Sequence, residues 1–307
     1  MATKLNFDGR VAVVTGGGRG IGRSYALLLA QLGANVVVND LGGMATGDGS
    51  DAEPAHNVAQ EIISAGGSAF ADVSDVSTAE GGQAVIDAAI ENFGRLDILI
   101  NNAGNMIWGG PPEVDADNIQ RHLAVHVMGS FNTTRAAWPH FLSQNYGRVI
   151  LTTSVGMFGL PDNLGYAICK SGMIGMAHSL TVAAEEHDIK VNVIAPNATT
   201  RLGIAPSKAA SQVAGSDSPQ LPTEFVAPMV AFLAHESCPV SAEMYVAGAG
   251  RFGRLFLAAT EGYLHPDPTN LRVEDIADHW NVINDEDGYY VPRTLNDWAM
   301  RFMSHRI

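Results

Sequence analysis

Short apolar runs rich in β-branched residues alternate along this chain with longer stretches in which apolar residues recur every three or four positions. The short runs predict strands at Val11 to Thr15, Asn35 to Asn39, Ser68 to Asp72, Leu96 to Asn101, Gly147 to Thr153, Lys190 to Ala195 and Met244 to Val246. The longer ones predict helices near Gly20 to Leu32, Pro54 to Ala65, Ala79 to Phe93, Ala116 to Gln144, Leu164 to His187 and Pro222 to His235. Strands that are apolar throughout, each followed by a helix, must lie buried on both faces, and parallel neighbours need such crossovers. The pattern therefore predicts an α/β domain over residues 1–250: a doubly wound parallel sheet of about seven strands with helices on both faces.

Two segments break the alternation. Leu41 to Glu53 is a Gly- and Asp-rich loop after the second strand, and Thr199 to Leu221, rich in Ala, Ser, Gly and Pro, follows the sixth. The second is expected to be the lid, because ligands of open α/β sheets bind beyond the carboxyl ends of the strands. Past Gly250 the composition shifts to Tyr263, Trp280, Tyr289, Tyr290 and Trp298 with an acidic Asp285-Glu286-Asp287, which predicts a C-terminal extension, 251–307, packed on the domain or on a partner subunit.

Charge narrows the functions available. Eighteen Lys plus Arg against 32 Asp plus Glu leave a formal charge of −14, unsuited to neutralising a phosphate backbone, so no nucleic-acid partner is expected. No apolar run approaches the roughly 20 residues of a membrane span, and neither a leader nor a peroxisomal Ser-Lys-Leu ending is visible, so a cytoplasmic setting is expected. Cys169 and Cys238 are the only cysteines and the ten histidines lack ligand spacing; no disulfide scaffold and no metal are expected.

The first strand runs into Thr15-Gly16-Gly17-Gly18-Arg19-Gly20-Ile21-Gly22 at the start of a helix. Glycines allow a pyrophosphate close to the backbone, and the free amides of the helix start favour its charge, as in Rossmann-type folds. Asp40 ends the second strand, where a carboxylate accepts hydrogen bonds from an adenosine ribose and repels a 2′-phosphate, favouring NAD over NADP. Arg19 pulls the other way, since a cation in the turn could meet that phosphate. Asp72-Val73 and Asn101-Asn102-Ala103-Gly104 close the third and fourth strands on the same side.

Further on, Tyr166 and Lys170 stand one helical turn apart and emerge on one face. An ammonium beside a phenol is expected to lower its pKa from the ordinary value of about 10 and make it a proton donor and acceptor. With the glycine turn and Asn-Asn-Ala-Gly, this Tyr-x-x-x-Lys resembles the short-chain dehydrogenase/reductase family over residues 7 to about 250. The resemblance implies that Asp72 contacts adenine, that Asn102, Ala103 and Gly104 support the adenosine side, and that Pro196, Asn197 and Ala198 adjoin the nicotinamide. It also implies that Lys170 holds the nicotinamide ribose. The family places a serine thirteen residues before the tyrosine, which falls here on Thr153; Ser154, one step on, would face the other side of an extended strand. Thr153 is therefore the favoured hydroxyl and Ser154 the alternative. Where many relatives have asparagine, to hold a water on the lysine, this chain has His126, which either takes that role or is a core histidine.

Val38 to Gly43, His126 to Phe131, Thr134 to His140, Ile194 to Ala198 and His235 to Cys238 further resemble the family branch formed by the dehydrogenase part of the peroxisomal multifunctional enzymes. That resemblance implies NAD-linked oxidation of (3R)-hydroxyacyl-CoA thioesters or hydroxysteroids. Met106 to Pro112, Met157 to Asn163 and the 199–221 loop are expected to close the pocket, with Trp108 and Phe158 suiting a lipid-like small molecule. Arg201, Lys208, Arg251 and Arg254 are the candidate partners for CoA phosphates. A homodimer or homotetramer built on the two long helices is implied as well. The rival readings are an NADPH-dependent 3-oxoacyl carrier-protein reductase and a non-catalytic nucleotide-binding scaffold or sensor.

Overall fold

In a computed structural model, residues 5–203 and 221–306 are described. The chain divides into two compact units, 1–254 and 255–307. The first holds strands β1 Val11–Thr15, β2 Asn35–Asn39, β3 Ser68–Asp72, β4 Ile98–Asn101, β5 Tyr146–Thr152, β6 Asp188–Pro196 and β7 Met244–Gly248, with β8 Arg251–Leu255 beginning in it. Its helices are α1 Gly20–Gln31, α2 Glu53–Ser64, α3 Ala79–Phe93, α4 Ala116–His122, α5 Gly129–Gln144, α6 Leu164–Ala183 and α7 Ala227–Ala234.

The strands lie in the order β3-β2-β1-β4-β5-β6-β7-β8, and all recorded pairings from β3 to β7 are parallel. The order reverses between β1 and β4, which pair Ala12 with Ile98 and Val14 with Ile100. The loops leaving these two strands diverge and open a crevice at their carboxyl ends, where such sheets bind ligands. The glycine turn and Asn102-Ala103-Gly104 are those loops.

Alternate strand residues are buried on opposite faces. Ala12, Val14, Val36, Val38, Ile100 and Ile150 pack with Tyr25 and Leu29 of α1, Val58 and Ile62 of α2, and Val230 and Leu233 of α7. Across the sheet, Ile86 of α3, Phe141 of α5 and Met173 of α6 are buried, with α3 against α5 and α6 against β5 and β6. Both cysteines are buried and free. The eighth strand was not anticipated; Ala249 and Gly250, at φ 51° and 73°, make a two-residue turn of the hairpin type that returns the chain from β7 into it.

The long helix predicted from Ala116 to Gln144 is interrupted: Leu123–Met128 forms a π-helical segment between α4 and α5. One extra residue per turn shifts the side-chain register, and such bulges recur where a side chain is aimed at a functional site. Here it carries His126 inward, 2% exposed. Among the described residues no helix is long and apolar enough to cross a membrane.

The second unit contains short helices, α8 Val273–Asp278, α9 Trp280–Ile283 and α10 Leu295–Phe302. Ring stacking organises it: Tyr263 on His279 at 3.7 Å, Trp298 on Phe302 at 4.9 Å and Phe256 on Tyr289 at 5.9 Å.

Candidate active site

The turn after β1 is built around glycine. Gly16 and Gly20 hold φ of 61° and 54°, in the left-handed region, and a Cβ on Gly22 would lie 2.1 Å from the Gly16 carbonyl oxygen. The turn is fastened to β4 by Thr15, whose hydroxyl accepts from the Asn102 and Ala103 amides, both at 3.0 Å. Asn102 Nδ2 donates back to the Thr15 and Gly16 carbonyls at 2.9 and 3.2 Å.

Between these loops lies a cleft of about 410 Å³ lined by Gly16, Arg19, Gly20, Ile21, Gly22, Asp40, Asn102, Ala103 and Gly104 among others. Gly18 lies behind the wall, its amide donating to Asp40 Oδ2 at 2.9 Å, while Gly42 N donates to Oδ1 at 2.8 Å. The carboxylate is thus fixed at the end of β2. Arg19 turns away from it: its guanidinium donates to the Gly42 and Gly43 carbonyls at 3.2 and 3.1 Å and pairs with Asp51 at 3.4 Å.

Some expected wall residues stand elsewhere. Asp72 does not line the cleft; it accepts from Asn39 Nδ2 at 2.7 Å and from the Ser74 amide and hydroxyl at 3.0 Å each, and Val73 beside it is exposed. The wall is formed three residues on, by Ser74, Asp75 and Val76. The Asp-Val pair occurs twice, at Asp72-Val73 and Asp75-Val76, and the second is the one at the opening. Pro196 ends β6 and Asn197 and Ala198 follow it, but Thr199 to Leu202 reach the wall. The sequence reading also missed Asn105, Val125 and the loop residues Leu41, Gly43, Met44 and Gly47. Most of the expected 199–221 lid, with Lys208, lies outside the described residues.

Behind Gly104 and Asn105 is the acid/base group. His126 packs against Gly104, where a Cβ would come within 2.6 Å of its ring, and lies edge-on to Tyr166 at 5.4 Å between ring centres. His122, one turn earlier and fully buried, stacks on His126 at 5.9 Å. Its Nδ1 faces the Asn118 carbonyl at 2.9 Å and its Nε2 accepts from the Ile107 amide at 3.2 Å. Burial, followed by the charge of Lys170, holds His126 well below the usual histidine range, so the ring is neutral.

The two candidate hydroxyls, Thr153 and Ser154, have different surroundings. Thr153 is fully buried and its hydroxyl donates to the Lys170 carbonyl at 2.6 Å, tying β5 to α6. Ser154 faces the other way: its hydroxyl accepts from the Gly156 amide at 3.0 Å and lies close enough to the Tyr166 phenol to lower its pKa. The strand alternation is as expected, with Thr153 thirteen and Ser154 twelve residues before Tyr166.

Lys170 Nζ lies 5.5 Å from the Tyr166 ring centre and donates to the Thr152 carbonyl at 2.8 Å. The expected depression of the phenol is not found. Burial raises the Tyr166 pKa above its ordinary value, and the Ser154 hydrogen bond only partly counters it. Burial also brings Lys170 down to about 7. Two groups withdrawn from water each favour their neutral form, and this outweighs one turn's proximity.

A family model described as short chain dehydrogenase matches residues 10–208. Mouse peroxisomal multifunctional enzyme type 2 is 38% identical over 303 residues, 97% of this chain and 40% of that protein. A putative short-chain type dehydrogenase/reductase of Mycobacterium tuberculosis is 39% identical over 91% of this chain and 95% of its own. Among solved structures, a 7α-hydroxysteroid dehydrogenase complexed with NADH and 7-oxo glycochenodeoxycholic acid superposes with a TM-score of 0.71 at 28% identity, covering 80% of this chain and 95% of that one. The chain belongs to the short-chain dehydrogenase family, oxidoreductases that act on CH–OH groups with NAD(P). It spans less than half the length of the mouse enzyme it matches.

Proposed function

We propose that this protein interconverts a secondary alcohol and a ketone with NAD, acting on a lipid-like substrate of the (3R)-hydroxyacyl-CoA or hydroxysteroid class. The observation that supports this reading is that Tyr166, with Ser154 and Lys170 beside it, packs on His126, whose ring in turn packs on Gly104 of a glycine-walled cleft. The wall suits a dinucleotide: positive-φ glycines leave backbone amides open to a pyrophosphate, and no side chain at Gly22 could be accommodated. Gly16, Gly20, Ile21 and Gly22 would hold the pyrophosphate, Asp40 the adenosine ribose and Lys170 the nicotinamide ribose. A 2′-phosphate would face the fixed Asp40 carboxylate, while the Arg19 donors are already taken by loop carbonyls. That favours NAD.

When bound, the nicotinamide supplies hydride acceptance and return. The chain's own part is proton handling. Ser154 donates to the substrate oxygen and orients it, while Tyr166 removes the hydroxyl proton in oxidation and returns it in reduction. Because burial raises the phenol, its ionisation requires positive charge brought close, from Lys170 and from the oxidised ring together. Neutral His126 accepts rather than carries charge, as a water-holding residue would.

The apolar Met106, Ile107 and Trp108 segment and Met157 and Phe158 suit an acyl chain or steroid. Exposed Met128, Phe131, Ile168 and Val182 near α5 and α6 support a homodimer or homotetramer through these helices, and the cytoplasm is the compartment that belongs to this proposal. The test is a panel of (3R)- and (3S)-hydroxyacyl-CoAs and steroid alcohols, each with NAD and NADP. NAD-linked oxidation of a (3R)-thioester or a steroid alcohol is expected. NADPH-selective reduction of carrier-protein thioesters, or tight NADH binding without turnover of any alcohol, would overturn the reading.

A further inference from the structure

The loop 41–52, unremarkable in sequence apart from its glycines, is fastened at both lips of the cleft. On the glycine-turn side, Arg19 holds the Gly42 and Gly43 carbonyls, and Arg201 Nη1 donates to the Gly43 carbonyl at 2.9 Å. On the α4 side, the Met106 amide donates to the Ala45 carbonyl at 2.8 Å, and Asn105 Nδ2 reaches the Thr46 carbonyl at 3.4 Å. Arg121 Nη2 donates to the same Thr46 carbonyl at 3.2 Å and pairs with Asp48 at 2.5 Å. Between the fastenings, Leu41, Gly43, Met44 and Gly47 form part of the cleft wall. The segment crosses the opening as a strap, not as a free loop.

Asn105 is the junction. It is 2% exposed, its side chain donates to both the Thr46 and Arg121 carbonyls, and its own carbonyl lies 2.9 Å from His126 Nε2. A Cβ on Gly47 would come within 3.0 Å of Asn105 Nδ2, so the strap lies directly on this residue.

We infer that Arg121 and Asn105 are positioning residues that pin the 41–52 strap over the dinucleotide cleft and thereby set how fast a bound nicotinamide dinucleotide departs. The inference rests on the dinucleotide reading above. A segment this rich in Gly, Asp, Ser and Thr has much conformational entropy to lose, and each fastening on the α4 side lowers the population of the raised strap. Changes of this kind appear in the dissociation rate more than in the association rate.

The experiment is stopped-flow displacement of NADH from the full chain, at low and high salt, for wild type, Arg121→Ala, Asp48→Ala, Asn105→Ala and the charge exchange Asp48→Arg with Arg121→Asp. Arg121→Ala and Asp48→Ala should each release NADH about three- to fivefold faster, the size a solvent-exposed ion pair supports. Asn105→Ala should do more, and the charge exchange should recover most of the loss, which general loosening would not do. Added salt should speed release from wild type and do little to Arg121→Ala. Wild-type release rates and salt dependence in both Arg121→Ala and Asp48→Ala would overturn the strap, even if buried Asn105→Ala failed to fold. Wild type that binds no NADH would instead sink the dinucleotide reading on which the strap depends.

Discussion

The two ends of one sheet are built to opposite rules. At the amino ends of the strands, buried charge is mostly matched, although Arg148 Nε has no partner among the described residues. Asp97, fully buried before β4, accepts from Arg10 at 2.9 Å, from the Arg95 guanidinium at 2.8 and 2.7 Å, and from the Val11 amide at 3.0 Å. Arg148, also buried, donates to the Asp188 carbonyl at 2.7 Å and its carboxylate at 3.1 Å, while the Tyr146 ring lies beneath both Arg10 and Arg148. At the carboxyl ends, buried polar atoms stand without a partner among the described residues: Asn105 Oδ1, Asn118 Oδ1, His126 Nδ1 and Thr152 Oγ1. Lys170 there is buried with no carboxylate beside it among the described residues and is pushed toward neutrality. One end fastens the strands; the other keeps donors and acceptors poised for something that is not protein.

The sharpest way to break this comparison is to exchange the consequences. Asp97→Ala should cost about 1–3 kcal/mol of stability by leaving the buried Val11 amide without its acceptor and the partly exposed Arg10 and Arg95 without their carboxylate, measured by urea unfolding, with kcat/KM per folded molecule unchanged. Ser154→Ala should do the reverse. It is expected to lower kcat by about 10²-fold, within the range of lost proton-handling groups, with an unfolding midpoint close to wild type.

Lys170→Met sharpens the contrast further. It should abolish most activity and yet stabilise the fold by about 1–3 kcal/mol, since an apolar side chain replaces a buried amine that is held only by the Thr152 carbonyl among the described residues. The sign follows from linkage: the folded pKa of about 7 lies below the ordinary 10.5, so the unfolded chain binds more protons between those values. The penalty therefore vanishes above about pH 10.5, grows as pH falls and is complete below about 7. Unfolding curves of the two proteins should converge at high pH and separate toward neutrality. The smallest effect is expected from Thr153→Val, which should cost about 1 kcal/mol through the lost bond to the Lys170 carbonyl, with kcat within a few-fold of wild type.

Much of the architecture was legible in the sequence because the strands are apolar on both faces and the helices are not. β1, β2 and β3 fall on the expected residues. The π-helical segment was not legible, since Leu123 to Met128 has the composition of an ordinary apolar helix and only the fold reveals the extra residue per turn. Strand alternation separated Thr153 from Ser154, but counting over the loop could not report which of the two hydroxyls lies beside the Tyr166 phenol. Spacing could place Tyr166 and Lys170 on one helical face but not report their burial, and burial sets the direction of both pKa shifts. The strap escaped notice because its anchors, Asn105 and Arg121, are distant in sequence and match no motif.

The central claim is that Tyr166 moves the proton while the glycine-walled cleft independently holds the dinucleotide. The most direct measurement is single-turnover NADH formation by Tyr166→Phe alongside NADH titration of the same protein. The account predicts a rate lower by about 10²- to 10⁴-fold with NADH affinity at the wild-type level; a rate within a few-fold of wild type would contradict it.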